Sequence, residues 1–470
     1  MPIVTPREAL AENSPPAEAR PRTRSNRPEN GIRWIPWSAA SILTSFPSSL
    51  PCTEPPARRM NANSIRFADR WIGLPACAVL TLFRRLFDWR QPTGPVKRIL
   101  FLKLVEQGAT VLAYPALRAA VEKVGRENVF FMVLAENRPI LDLLDVIPPG
   151  NVVVVPTGGL VQTLRGMLGA IGRIRAARID TVIDYELFSR ASAVLAYISG
   201  AARRIGYHSY HGDGPWRGDL MTHRLGCNPH LHMQTVMSLM VEAVGQDPHD
   251  LPALDIDIRS LDADLKRFQP TAAETDEVRG IIMAASGESE GGPLILLNAN
   301  ASDLLPLRKW DSDRYVDLAR RLLPTNPDAR IAFTGAPSEA AAAKALVRKV
   351  GDPRCFSLAG KTTMRQLIVL YTLADLLVTN DSGPAHFASL TGIDVITLFG
   401  PETPAVFGVR GPLSHILHAG LPCSPCVNAA NNRLSACRNN LCMQAITVER
   451  VEATARRVLA ERHERLARAD

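Results

Sequence analysis

The chain has 470 residues, of which 46% are hydrophobic, enough for two ordinary domains with separate cores. Its net charge of +8 is carried wholly by residues 1–98, and the other 372 residues balance at 39 basic and 39 acidic, which excludes a nucleic-acid-binding body. No run reaches the roughly 18 uninterrupted apolar residues of a membrane-spanning helix, and eight Cys spread over so long a chain suit a reducing cytoplasm better than a disulfide framework.

Residues 1–60 hold 11 of the 36 Pro, no Lys and no apolar periodicity, and are expected to form a disordered leader. Trp34–Phe46 is faintly signal-like, but Pro36 and the mixed charge before it argue against secretion. Met60 opens better-patterned sequence, so residues 1–59 read as an upstream-start product or a dispensable tail. In residues 61–97 the uncharged run Trp71–Phe83 is flanked by Arg66 and Arg70 before it and Arg84, Arg85 and Arg90 after it. Such a segment fits a helix lying in the headgroups of an anionic membrane, or equally a helix packed on the body of the protein.

From Arg98 short apolar runs alternate with helical spacing. Ile99–Leu104, Val129–Leu134, Val152–Val155 and Thr181–Ile183 read as buried strands, with helical stretches such as Val111–Val124 and Leu160–Ala176 between them. After a polar region, Gln269–Gly292, the pattern restarts with strands at Leu294–Leu297, Arg330–Thr334, Leu376–Thr379 and Val395–Leu398. The fold class expected is α/β, with two doubly wound Rossmann-like domains, 98–268 and 269–470, facing across a cleft. The final helix, Val448–Ala467, is expected to pack back across the first domain.

The strongest motif is Asn380-Asp381-Ser382-Gly383-Pro384-Ala385-His386, between a strand and a helix. Asp381 or Ser382 can cap the helix, Gly383 permits close backbone approach, and Pro384 suits the first turn, so free N–H groups there can hold a diphosphate. A second loop, Phe399-Gly400-Pro401-Glu402-Thr403-Pro404, follows the next strand on the same sheet edge.

The pair resembles glycosyltransferase family 9, the bacterial heptosyltransferases of GT-B type, whose loops read D-S/T-G-x-x-H-x-A and F-G-P-T-x-P. Glu402 stands where the family usually shows Thr. Weaker matches follow in order: Arg204-Ile205-Gly206-Tyr207, Lys309-Trp310, and Gly335 with Glu339. The resemblance implies a sugar transfer, with inversion and without a required cofactor or metal, from a nucleotide-activated donor, ADP-linked and heptose-like, to a lipid-linked acceptor such as a lipopolysaccharide core. It implies that Asp381, Ser382, Gly383 and His386 hold the donor's diphosphate and sugar, that Lys309 neutralises the leaving phosphate, that Glu339 meets the ribose, and that Lys361 lies by the base. The enzyme is then expected in the cytoplasm, peripheral on the inner face of the membrane.

In the family the first loop reads L-x-x-x-G-D-x and its Asp is the general base, whereas this chain reads Leu104-Val105-Glu106-Gln107-Gly108-Ala109-Thr110. With Ala109 at the Asp position, Glu106 is the candidate base and Asp184 the reserve; otherwise activity has been lost or altered. Two other classes remain open: a nucleotide-sugar or glycan binder without turnover, and a GT-B-like sugar epimerase. Cys423, Cys426, Cys437 and Cys442 could bind a structural zinc, or be free or paired. Asp255-Ile256-Asp257 fits a D-x-D metal motif only by a short match in the expected linker.

Overall fold

The computed structural model describes residues 67, 69–87, 94–157, 160–261, 265–287, 291–301, 305–428, 431 and 433–468; the expected leader and the flanking Arg66 and Arg90 lie outside them. In the first domain α1 (Leu74–Phe87) precedes β1 (Ile99–Leu102), α2 (Gln107–Leu112), α3 (Tyr114–Val124), β2 (Val129–Leu134), α4 (Arg138–Leu144), β3 (Val152–Val155), α5 (Leu160–Ala176), β4 (Thr181–Asp184), α6 (Arg190–Ile198), β5 (Arg203–Tyr207), β6 (His223–Leu225) and α7 (Met233–Glu242). The second runs α8 (Ala272–Ser286), β7 (Leu294–Asn298), α9 (Ser312–Thr325), β8 (Arg330–Phe333), α10 (Ala340–Val350), β9 (Cys355–Ser357), α11 (Met364–Leu373), β10 (Leu376–Asn380), α12 (Gly383–Ala388), β11 (Asp394–Phe399), α13 (Pro404–Phe407), β12 (Ser414–His418), α14 (Leu441–Gln444) and α15 (Val448–Ala467).

Each domain is built on a six-stranded sheet, ordered β3-β2-β1-β4-β5-β6 in the first and β12-β11-β10-β7-β8-β9 in the second. Read from β7, the second order repeats the first. Every pairing is parallel, which demands cover on both faces and explains why β1, β4, β7 and β11 are buried along their whole length. Strand order reverses between β1 and β4 and between β7 and β10, and loops leaving those strands line the crevice where such sheets bind ligands.

One apolar cluster joins the domains, with Phe101, Val111 and Met237 in the same buried set as Leu377, Ala385 and Phe387. A second cluster packs α9 and α15 on the outer face of the second sheet, and a third packs α5, α6 and Cys77 of α1 on the outer face of the first.

Several expectations need correction. The polar region Gln269–Gly292 contains α8, started by a reciprocal capping box in which Thr271 accepts from Glu274 N and Glu274 from Thr271 N. Strands β5, β6, β9 and β12 went unread because three to five residues with mixed polarity carry little periodic signal. The last helix packs on the second domain, not the first: Val448, Val451, Ala455 and Val458 join Trp310 and Leu318 in one core.

Helix α1 resolves its two alternatives in an unexpected way. Cys77 and Thr81 are buried, with Gly73, Ala76, Leu80 and Arg84 partly covered, a stripe at helical spacing that faces the first domain. Asp219 N donates to Thr81 Oγ1 (2.9 Å), Arg84 pairs with Asp219 (2.9 Å), and Arg190 pairs with Asp69 (2.5 Å). The opposite face leaves Trp71, Val79, Leu82, Phe83, Leu86 and Phe87 each more than half exposed. Among the described residues no helix is long and apolar enough to cross a membrane.

Candidate functional site

The second-domain half of the site lies at the switch point of its sheet. Asn380, at the end of β10, accepts from Trp310 N (3.0 Å) and donates to Asn300 O (3.0 Å), tying the β7 loop to the β10 loop. Ser382 immediately precedes α12, but its hydroxyl turns back to Asn380 O (3.1 Å) and makes no cap. The expected side-chain cap is therefore not formed by Ser382, and the helix start keeps its uncapped character toward the cleft. His386 is 7% exposed and its Nδ1 has no hydrogen-bond partner. Burial, with His232 and Arg308 adding to it, pushes the imidazole down to about 4, so it is neutral at pH 7.

The cation at this point is Arg308, not Lys309. Arg308 Nη1 donates to Asp381 O (3.1 Å) and lies 3.5 Å from Asp381 Oδ2 and 3.7 Å from Glu402 Oε2. Lys309 is exposed and lines an outward groove with Arg314, Asn440 and Gln444. The reason is local: Lys309 has extended backbone, so its side chain points away from those of its neighbours, and Trp310 is fixed inward by burial.

Asp381 is 3% and Glu402 2% exposed. Burial, with the adjacent Asp381 adding to it against Arg308, pushes the Glu402 carboxyl up to about 8. Burial also raises Asp381, opposed by Arg308 and by the hydrogen bond from Glu402. Two carboxyls in one dry site thus favour holding a proton between them, with Glu402 pushed toward its neutral form. A Glu at the usual Thr position therefore adds no full negative charge.

At the ends of β8 and β9, Glu339 accepts from Ala336 N (2.6 Å), and Gly360 N donates to Gly335 O (2.9 Å), bringing the turn before Lys361 beside the Gly335 loop. A Cβ on Gly335 would lie 2.7 Å from Glu339 Oε2, so a larger residue there would displace that carboxylate. Lys361 is exposed. The structure gathers Glu339 and the Lys361 turn on one edge, about a capping carboxylate that is already half engaged.

Across the cleft, the β1–α2 loop presents Glu106 with φ 70° and ψ 81°. Lys103, only 2% exposed, lies 3.0 Å from Glu106 and 3.2 Å from Glu186, while Glu186 accepts from Leu104 N (2.7 Å) and Val105 N (3.2 Å). Arg433, from the cysteine-rich loop of the second domain, pairs with Glu106, donating from Nη2 to Oε2 at 3.3 Å, and its guanidinium lies 5.8 Å from the Phe407 ring centre. Burial pulls Arg433 down to about 10. Glu106 is therefore held by two cations, one from each domain. Asp184 is removed as the reserve base: it is fully buried, paired with Arg217 (2.6 Å), and accepts from Ser192 Oγ (2.8 Å). Sequence reading missed Lys103, Glu186, Arg308 and Arg433. A charge directly after the apolar ILFL of β1 was a usable signal for Lys103, while nothing in the sequence marked Arg433.

The four late cysteines are free thiols, with Cys423 exposed and Cys442 buried. Among the described residues no three Cys, His, Asp or Glu side chains converge as metal ligands. Cys442 and Met443 instead fill the space beneath Gly400.

Two facing six-stranded parallel sheets of identical strand order, with helices on their faces, are the GT-B class of glycosyltransferase architecture. The chain belongs to glycosyltransferase family 9 (heptosyltransferase), whose sequence model it matches over residues 169–436. It is 28% identical over 113 residues to lipopolysaccharide heptosyltransferase 2 of Salmonella typhimurium, a match covering 23% of this chain and 31% of that protein. The chain thus spans about a third of that curated relative. Among solved structures, ADP-heptose lps heptosyltransferase II of E. coli superposes with a TM-score of 0.56 at 17% identity, over 78% of this chain and 99% of that one. A family 9 glycosyltransferase of Veillonella parvula gives 0.60 at 18%, over 78% and 98%. At these identities the two structures speak to the fold.

Proposed function

We propose that this protein transfers a heptose-like sugar from an ADP-linked donor to a lipopolysaccharide-core or other lipid-linked acceptor, with inversion. The observation that carries the reading is the convergence of Arg308, the unpartnered Nδ1 of His386 and the start of α12 at the sheet's switch point, opposite Glu106. Family membership and the E. coli neighbour's ADP-heptose title support the donor class. In the transfer, the acceptor hydroxyl gives its proton to the Glu106 carboxylate while its oxygen attacks the anomeric carbon. The bond to the diphosphate oxygen breaks, and the electron pair leaves with the nucleoside diphosphate. Arg308 and the α12 N–H groups stabilise that growing charge in a site already dry. In this reading Glu339 would meet the ribose and the Lys361 turn the base.

The outer face of α1 is the surface proposed to rest on the inner leaflet. Nine of the seventeen exposed large apolar side chains among the described residues belong to residues 67–87, a density that water alone does not favour. Exposed Arg70 and Arg85 add basic charge at its edge.

A screen of nucleotide sugars by thermal unfolding tests the donor: one present at 100 times its dissociation constant should add about 2.7 kcal/mol. No stabilisation by any ADP-sugar, with stabilisation by another class, would overturn the donor assignment. A second reading, binding without turnover, is favoured by Ala109 at the usual base position and by the engagement of Glu106 with Lys103 and Arg433. Tight donor binding without sugar transfer or donor hydrolysis would select it.

A further inference from the structure

Six ionisable side chains, basic and acidic in turn, run across the cleft: Lys103, Glu106, Arg433, Glu402, Arg308 and Asp381. Successive contacts are 3.0 Å for Lys103–Glu106, 3.3 Å for Arg433 Nη2–Glu106, 3.8 Å for Arg433–Glu402, 3.7 Å for Glu402–Arg308 and 3.5 Å for Arg308–Asp381. Within this row the Glu106–Arg433 pair is the step that crosses between the domains, and both partners have left-handed backbone, φ 70° and 56°. Only five non-glycine residues among those described do so, and two of them meet here. Non-glycine residues avoid this region, and such backbone is held only where surrounding structure enforces it.

The charge balance says what a donor would disturb. Lys103, Arg433 and Arg308 face Glu106, Glu186 and Asp381, and Glu402 adds no full charge, so the unliganded chain of charges is neutral. A diphosphate brings further negative charge, and a cation must turn to it from a carboxylate. Lys103 is 2% exposed and held by two carboxylates, and Arg308 is 15% exposed and already faces the anion loop. Arg433 is 22% exposed, and Glu106 is its one close partner of full charge.

We propose that Arg433 is a donor-responsive positioning residue: a nucleoside diphosphate in the cleft draws its guanidinium from Glu106, and the exchange frees the Glu106 carboxylate toward the acceptor. This rests on the diphosphate reading of the Asp381–His386 loop. Donor binding and the availability of the base are then one event, which keeps Glu106 engaged until a donor is present.

Calorimetric titration of the full chain with ADP, and separately with inorganic pyrophosphate, tests the exchange in Arg433→Met, Glu106→Gln and the double variant. Loss of a charge-assisted contact in Arg433→Met should weaken both ligands by about 10- to 100-fold. Glu106→Gln should tighten them by about threefold or more, because Arg433 is no longer held back. The double variant should bind like Arg433→Met alone. If the tightening persists undiminished in the Arg433→Met background, Glu106 acts only by repelling the anion and the exchange is overturned. Arg433→Lys keeps the charge and guards against a folding defect: it should bind between wild type and Arg433→Met, and wild-type affinity in both overturns the proposal. Binding that vanishes in His386→Ala yet ignores Arg433 removes this inference alone. Failure of the wild type to bind either ligand removes the diphosphate reading with it.

Discussion

Gly108 lies against His386 so closely that a Cβ on it would sit 2.7 Å from the imidazole Cδ2 and 3.2 Å from the Gly383 Cα. The first-domain loop and the donor loop therefore touch, and part of that contact is backbone that cannot swing aside. Gly108→Ala should force the loops apart, lowering stability by roughly 1–3 kcal/mol as overpacking does and weakening ADP binding. Calorimetric unfolding and ADP titration check this, and wild-type values in both would refute the close approach.

Arg308 and Lys309 are adjacent but point to opposite sides. Arg308→Met should reduce ADP affinity by about tenfold or more, the scale of a charge-assisted hydrogen bond, while Lys309→Met changes it less than about twofold. The same titration decides between them, and the reverse order would restore Lys309 to the site.

The protonated Glu402 makes stability depend on pH in a definite sense. Its folded value near 8 exceeds its unfolded value near 4.5, so the folded protein holds an extra proton between them and stability falls as pH rises through that window. His386, pushed down to about 4 from 6.5, works the other way, its contribution being lost as pH falls from 6.5 toward 4. Between pH 6.5 and 8 only Glu402 of this pair titrates. Glu402→Gln, which can still donate to Asp381, should flatten the fall in melting temperature over that range relative to wild type. Parallel curves would mean that Glu402 is ionised in the folded protein.

Substitutions on the outer face of α1 separate docking from folding. Leu82 is 60% and Phe83 51% exposed, so Leu82→Glu with Phe83→Glu should change stability by no more than about 0.5 kcal/mol each. Flotation with vesicles containing anionic lipid should be lost. Undiminished flotation would show that this face does not touch the bilayer.

The doubly wound architecture was legible because buried parallel strands demand unbroken apolar runs, and Ile99–Leu102 and Leu294–Leu297 are such runs. The strand-to-helix turn at Asp381–His386 was legible because an apolar run ending in Asp-Ser-Gly-Pro marks a strand end followed by a first helical turn. Lys309 was misjudged for want of one fact, which of two neighbouring cations faces inward, and that depends on a single turn at Pro306–Arg308. Arg433 lies 327 residues from Glu106, and no local pattern announces a contact of that range. Asp184 looked available at a strand end, where only tertiary packing with Arg217 reveals it as enclosed.

The inner face of α1, through Thr81 and Arg84, and Asp69 just before it are fastened to two residues of the first domain, Asp219 and Arg190. A bilayer gripping its outer face would accordingly hold that whole domain still, as a stator. Opening and closing of the cleft would then fall to the second domain, with its donor loop, so the mechanics of turnover would be one-sided. The same fastening means that cutting α1 away takes Cys77 out of the core it shares with Leu220 and Met221, and the helix is better probed by altering its surface than by deleting it.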